Sequence, residues 1–266
     1  MSRVGLYLLG HFEIHLNGTR VSTFNYNKMS ALLAYLAVES KRPHMRETLS
    51  ELFWPDRANG VARANLRKAL SDIRQAIQDH QAPSPLLEIT VSKVQVNLAS
   101  DFLLDIDSFE RHIRTTRAHI HENLVSCPFC MAQLKTATEL YRGDFLEGLN
   151  FNEEAGLQEW LQSHRRYYFR QQMEALQHLA NYHQNLSHYD LANHYASSQL
   201  KMDPLIESAH RQIMYLLAIA GWRSTAIEQY HICRRNLDNE LGIKPEPETV
   251  ALFEQIKAGT VIKNER

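Results

Sequence analysis

From residue 155 onward the sequence matches itself at an offset of 34 residues. Ala175 pairs with Ala209, Leu179 with Ile213, Leu186 with Ala220, Ser187 with Gly221 and Ala192 with Ala226. Thirty-four is the tetratricopeptide period, in which each unit is a helical hairpin. One such hairpin cannot bury its apolar face alone, so the units must stack. The small residues that close helix packing needs fall at Ala180, Ala192, Ala196, Ala209 and Ala226. Tyr230 supplies the aromatic position and Pro204 the helix stop; the last repeat helix closes at Leu241-Gly242, and Thr249–Lys257 reads as a cap helix. Residues 101–258 are thus expected to form an all-α helical-repeat domain, with 259–266 a frayed tail. Stacked hairpins form a concave face, and Tyr182, His183, Tyr189, Tyr195, Tyr215 and Trp222 could line it as a partner surface.

Residues 1–100 read differently. Val4–Leu9 and Phe12–Leu16 alternate as strands, and Asn17-Gly18 is a two-residue hairpin signal, because both turn positions need positive φ. Arg20–Thr23 is the return strand. Lys28–Ser40 is a first helix with Leu32, Leu33, Tyr35 and Leu36 buried, and Arg46–Phe53 is a second, closed by Trp54-Pro55-Asp56. Trp54 is expected to pack where the second helix meets the third. After Gln81–Pro85 the chain alternates through Leu87, Ile89 and Val91, then Val94, Val96 and Leu98; the phase change puts a turn at Ser92-Lys93. Hairpin, three helices and a strand–turn–strand wing make an α+β winged helix, whose third helix enters the major groove.

That third helix lies within Arg57–Asp79. Ala62, Leu66, Ala69, Leu70, Ile73 and Ile77 recur at helical spacing, while Arg63, Asn65, Arg67, Lys68, Ser71 and Arg74 occupy the rest of the circumference. No acidic residue stands between Asp56 and Asp72. Arg and Asn can read base edges in the major groove and Lys can meet phosphate, so these six residues, with Lys93 at the wing tip, are the candidate DNA-binding residues. The charge distribution agrees. Residues 1–100 hold 12 Lys and Arg against 8 Asp and Glu, a net of +4, whereas the remainder holds 17 against 22, a net of −5.

Several stretches together resemble a known family. They are Leu9-Gly10, Phe12 and Ile14 with Asn17-Gly18; Lys28 and Ala31–Ala37; Arg46-Glu47 and Leu49; Leu52–Asp56; and Leu66-Arg67 with Leu70-Ser71 and Ile73-Arg74. In combination they are similar to the antibiotic-regulatory-protein family of bacterial activators, and the similarity spans nearly the whole chain. Tyr141–Gly148, Glu159–Leu161, Arg165 and Leu241–Glu248 resemble the family's second module, the bacterial transcriptional activator domain. The resemblance departs at Asp72, where such helices often carry a basic residue. It implies a response-regulator-type winged helix on promoter DNA, direct-repeat sites bound in tandem as a homodimer, and contact with RNA polymerase.

Two other clusters offer chemistry. Asp101, Asp105 and Asp107 are separated by Phe102, Leu103, Leu104 and Ile106, and no glycine or closing Glu completes a calcium loop. Residues 99–110 are therefore read as a link, with Asp107 or Ser108 capping a helix over Phe109–Ile120. His119, His121, Cys127 and Cys130 have the types and number of a structural zinc site. Two residues apart on a helix point about 200° from each other, so both histidines could ligate only if the helix ended before them. The preferred reading is a helix start, with Cys127 as cap and Pro128 in the first turn, and no metal.

Much chemistry is missing. No phosphate-binding glycine loop, dinucleotide fingerprint or nucleophile elbow occurs, so no cofactor and no enzyme activity is expected. Most of the 14 histidines scatter along the helices at positions such as His178, His183, His188, His194 and His210, which read as surface or groove positions. An odd count of three cysteines argues against a disulfide scaffold and for a cytoplasmic location. No apolar run approaches the ~18 residues of a membrane span. The sequence thus reads as a DNA-binding transcriptional activator. The alternative is a helical-repeat scaffold or sensor whose winged helix makes mainly protein contacts.

Overall fold

The computed structural model describes residues 3–21, 24, 27–121 and 123–261. The end of the expected return strand, Ser22 and Thr23, and tail residues 262–266 lie outside the described residues. The described residues form two compact units. The first takes in the chain up to residue 114 together with 139–170; the second takes in 115–138 and the chain from 171 onward.

In the first unit β1 (Val4–Tyr7) pairs antiparallel with β3 (Glu13–Leu16), and β3 with β4 (Thr19–Val21). Between β3 and β4, Asn17 and Gly18 have φ of 50° and 81°, the two positive values a tight turn of this hand requires. The helix α1 (Asn27–Val38) buries Leu32, Leu33 and Leu36 completely, whereas Tyr35 stays half-buried. Next come α2 (Arg46–Phe53) and α3 (Asn59–Ala76). All six residues of the expected stripe, Ala62 to Ile77, are buried, so the helical periodicity sets which side faces the core. The wing is three-stranded. β7 (Lys93–Val96) pairs with β6 (Leu87–Ile89) and with β5 (His44–Met45), a two-residue strand too short for any periodicity to reveal. The turn spans Thr90–Ser92, where the Thr90 N–H donates to the Lys93 carbonyl (2.9 Å), so β7 starts at Lys93, expected in the turn.

Residues 99–110 are not a simple link. Phe102–Leu104 form β8, which joins the edge of β1 in parallel and completes a four-stranded sheet in the order β4-β3-β1-β8. The helix α4 then runs Asp105–Ala118, beginning four residues before the expected Phe109 and stopping two before Ile120. The reason is Asp105. Its buried carboxylate accepts the N–H of Leu8 (2.8 Å), Leu9 (3.0 Å) and Ile106 (2.9 Å), and the Arg142 guanidinium lies 3.3 Å away. β8 lies beyond the boundary at residue 100 drawn from the sequence; a fragment ending there would leave this edge of β1 unpaired.

The α5 helix spans Pro128–Leu140, and β9 (Phe145–Glu147) pairs in parallel with β2 (Gly10–His11). The long α6 covers Ala155–Asn185. On its first half Arg165 donates to the carbonyls of Phe145 (2.9 Å), Leu146 (2.7 Å) and Leu149 (2.9 Å), and Trp160 Nε1 donates to Glu39 Oε1 (3.2 Å).

The second unit contains α7 (Tyr189–Met202), α8 (Glu207–Ile219), α9 (Arg223–Leu241) and α10 (Pro247–Ala258). Its repeat is written in the backbone. The N–H groups of Leu186, Ser187, His188 and Ala192 donate to the carbonyls of Tyr182, Gln184, His183 and His188. Thirty-four residues on, Ala220, Gly221, Trp222 and Ala226 donate to Leu216, Ala218, Leu217 and Trp222, bond for bond. Ser187 and Gly221 both adopt positive φ, 58° and 84°, as the residue after a helix C-terminus commonly does. Met214, Ala226, Tyr230 and Ile256 form one core cluster here. Of the six aromatic or imidazole residues expected to line a concave face, only Tyr195 is buried; Trp222 is 63% exposed.

His210 departs from its expected surface or groove position: it is buried. Its Nε2 lies 3.0 Å from the Pro204 carbonyl and its Nδ1 2.7 Å from Gln229 Nε2, which suits a neutral ring donating at Nε2 and accepting at Nδ1. Burial lowers its pKa below the ordinary 6.5. A depressed histidine contributes stability that is present above the unfolded pKa and lost as pH falls below it. Unfolding midpoints in urea should therefore hold from about pH 8 to 7 and fall below about pH 6.5, and His210→Gln, which keeps a donor and an acceptor, should shrink that fall. An identical pH profile in the variant would show that His210 carries no such linkage.

Candidate nucleic-acid interface

The exposed side of α3 is set by its buried one. At about 100° per residue, the core stripe leaves an arc centred near Ala64, Lys68 and Ser71 facing outward. Arg63, Arg67, Lys68 and Ser71 are exposed, and Asn65 is half-exposed. The arc has two edges. Arg63 and Arg67 line a groove of about 500 Å³ with the wing residues Val91 and Ser92 and the start of α2, Arg46 and Glu47. Asn65 and Lys68 line another, of about 750 Å³, with Asp72, Trp54 and Lys28. Trp54 is half-buried, its ring centroid 6.0 Å from that of Phe53, with Lys28 Nζ 6.0 Å from its own centroid. It is thus part packing and part groove wall.

The structure separates the candidates further. Arg63 Nη2 lies 2.6 Å from Glu47 Oε1, an exposed pair that water largely screens. Among the described residues no hydrogen bond or ion pair engages Arg67 or Lys68. Arg74 is drawn instead to Asp79, its Nε 3.4 Å from a carboxylate oxygen that is fully buried. Asp79 also accepts the N–H of Leu86 (2.6 Å) and Leu87 (3.3 Å), where the wing begins. The position of Arg74 is therefore explained by this internal pair. At the wing, Lys93 is exposed beside Val91, which is 98% exposed. Sequence reasoning missed Arg46, whose backbone N–H donates to Ser92 O (2.9 Å) and whose Nη1 donates to Thr90 O (3.1 Å), holding the wing turn against the start of α2. In the sequence Arg46 is legible as a helix start and as part of the Arg46-Glu47 stretch that carries the family resemblance, but nothing local shows its contact with the wing turn.

A separate cluster lies at the α4–α5 junction. His119 Nδ1 lies 3.6 Å from Cys127 Sγ and 3.3 Å from Cys130 Sγ, and His121 Nδ1 lies 3.7 Å from Cys130 Sγ. All of the cysteines are free thiols. Backbone N–H groups at the start of α5, led by that of Cys130, lower the Cys127 pKa, and burial pushes Cys130 up to about 11.

Residues 104–257 match the family described as bacterial transcriptional activator domain. No curated protein matches. Among solved structures, the fold is similar to Mycobacterium tuberculosis EmbR in complex with a low-affinity phosphopeptide, with a TM-score of 0.68 at 18% identity, over 98% of this chain and 69% of that one. Among the described residues no helix is long and apolar enough to cross a membrane.

If Arg74 and Asp79 serve the fold, the two act on stability. Asp79→Ala strips the acceptor from two N–H groups and leaves Arg74 without its carboxylate, which should cost about 2–4 kcal/mol in chemical unfolding. A loss under about 0.5 kcal/mol would mean that the pair holds nothing.

Proposed function

The chain belongs to the bacterial transcriptional activator domain family, and from that premise we propose that it activates transcription by binding promoter DNA through α3 while its helical repeats mediate self-association and contact RNA polymerase. It is a transcriptional regulator of the antibiotic-regulatory-protein type, and a family of regulators gives no ground for an enzymatic reading. Among the described residues, one observation carries the DNA proposal: α3 presents Arg67 and Lys68 outward with no internal partner, beside an exposed wing. Arg67 stands at the wing edge, where a guanidinium can read a guanine, and Lys68 stands where an ammonium can meet phosphate. Arg63, Asn65 and Ser71 support them and Lys93 contacts the backbone; Arg74 acts only through Asp79. The first unit holds this reader, and residues 101–258, as delimited from the sequence, hold the effector module. Its work is in the cytoplasm, where free thiols persist. DNA is bound as a homodimer on tandem sites.

The test is fluorescence anisotropy of the full chain with duplex DNA across a salt series. Affinity should fall with a log–log slope of roughly −0.9 per phosphate contacted. Lys68→Ala should weaken binding to all sequences and flatten the slope by about one, and Arg67→Ala should cost about 1–3 kcal/mol on a selected site while relaxing its specificity. Neither should change folding stability by more than about 0.5 kcal/mol. A binding curve indifferent to salt would instead favour the scaffold whose winged helix meets protein.

A further inference from the structure

The structure assigns a ligand set to the α4–α5 junction: we propose that His119, His121, Cys127 and Cys130 form a tetrahedral zinc site. The helix-start reading accounts for part of this segment. Pro128 opens α5, and the Met131 N–H donates to the Cys127 carbonyl (3.1 Å), so Cys127 stands at the cap. That reading does not explain why two imidazole nitrogens converge on one sulfur. The condition that would have forbidden ligation is also lifted. α4 ends at Ala118, before both histidines, so their rings are not held on opposite sides of a helix. They stack instead, with centroids 5.7 Å apart.

The distances fit one ion. Zinc binds sulfur at about 2.3 Å and imidazole nitrogen at about 2.0–2.1 Å, and a tetrahedral angle between them gives an N···S edge of about 3.6 Å. The three N···S separations are 3.3, 3.6 and 3.7 Å. The ligand atoms of His119, Cys127 and Cys130 all lie within 4.8 Å of one another. His121 stands beside this group, its Nδ1 3.7 Å from the Cys130 sulfur, and completes the proposed set as the fourth donor when the ion binds. Cys130 is buried and Cys127 half-buried. Binding replaces two S–H bonds with two Zn–S bonds and releases two protons to solvent, while each imidazole gives a lone pair; nothing is oxidised or reduced. Two thiolates cancel the ion's charge. The closed donor set leaves no open position, so the role is structural. The ion clips the end of α4 to the start of α5 across a junction where Ile120 is 96% exposed.

The full chain should be purified without chelator or reductant and its metal measured by mass spectrometry. The expected result is one zinc per chain. Cobalt substitution should give the intense visible bands and thiolate charge-transfer absorption of tetrahedral Co²⁺, which tests the site in wild-type protein even where a variant fails to fold. Cys127→Ser and Cys130→Ser should each lose the stoichiometric metal, and His121→Ala should lose it to a chelator at least about tenfold faster. A zinc-free protein after growth with added zinc would overturn the proposal, as would zinc retained unchanged in both serine variants. A Cys127–Cys130 disulfide in the metal-free protein would show a redox pair instead.

Discussion

The buried carboxylate of Asp105 organises the first unit. It holds the end of β1 through the N–H groups of Leu8 and Leu9, starts α4 through its own neighbour Ile106, and draws in Arg142. Burial raises its pKa, while those N–H groups and the guanidinium favour the charged form. Leu8 and Leu9 are fully buried, so without this acceptor their N–H groups would go unsatisfied at about 1–3 kcal/mol each. One side chain thus fixes where β8 meets β1 and where α4 begins. The same site joins Arg142, at the close of α5, to the sheet.

A second internal carboxylate does comparable work for the candidate interface. Asp79 ties Arg74, near the end of α3, to the N–H groups where the wing starts. The spacing between helix and wing is thereby held by the buried Asp79 carboxylate, and Arg46 secures the other end of the wing turn. A rigid frame of this kind lets Arg67 and Lys68 face outward at low conformational cost, as preorganised binding surfaces require.

Much of this was legible because periodicity reports burial. The α3 stripe, the Asn17-Gly18 turn and the 34-residue repeat all follow from spacing, and the repeat extends to individual hydrogen bonds. What escaped the sequence depends on partners distant along the chain. β8 is three residues whose identity as a strand comes only from the open edge of β1. Arg74 carries the same charge as Arg67, and only the buried Asp79 separates their roles. His210 reads like any other helix histidine until Pro204 and Gln229 are seen to satisfy both ring nitrogens. The histidines and cysteines near residue 120 needed the end of α4, a boundary that periodicity places only to within a few residues.

The central claim is that α3 lies in the major groove of DNA with its outward arc against the base edges. Methylation interference tests this most directly. A site selected from random duplex would be methylated sparsely with dimethyl sulfate, which marks guanine N7 in the major groove and adenine N3 in the minor groove, and the bound and free fractions compared. The account predicts that N7-methylated guanines inside the selected site are depleted from the bound fraction, with interference recurring at each half of a tandem site. Undiminished binding to every N7-methylated duplex would contradict it.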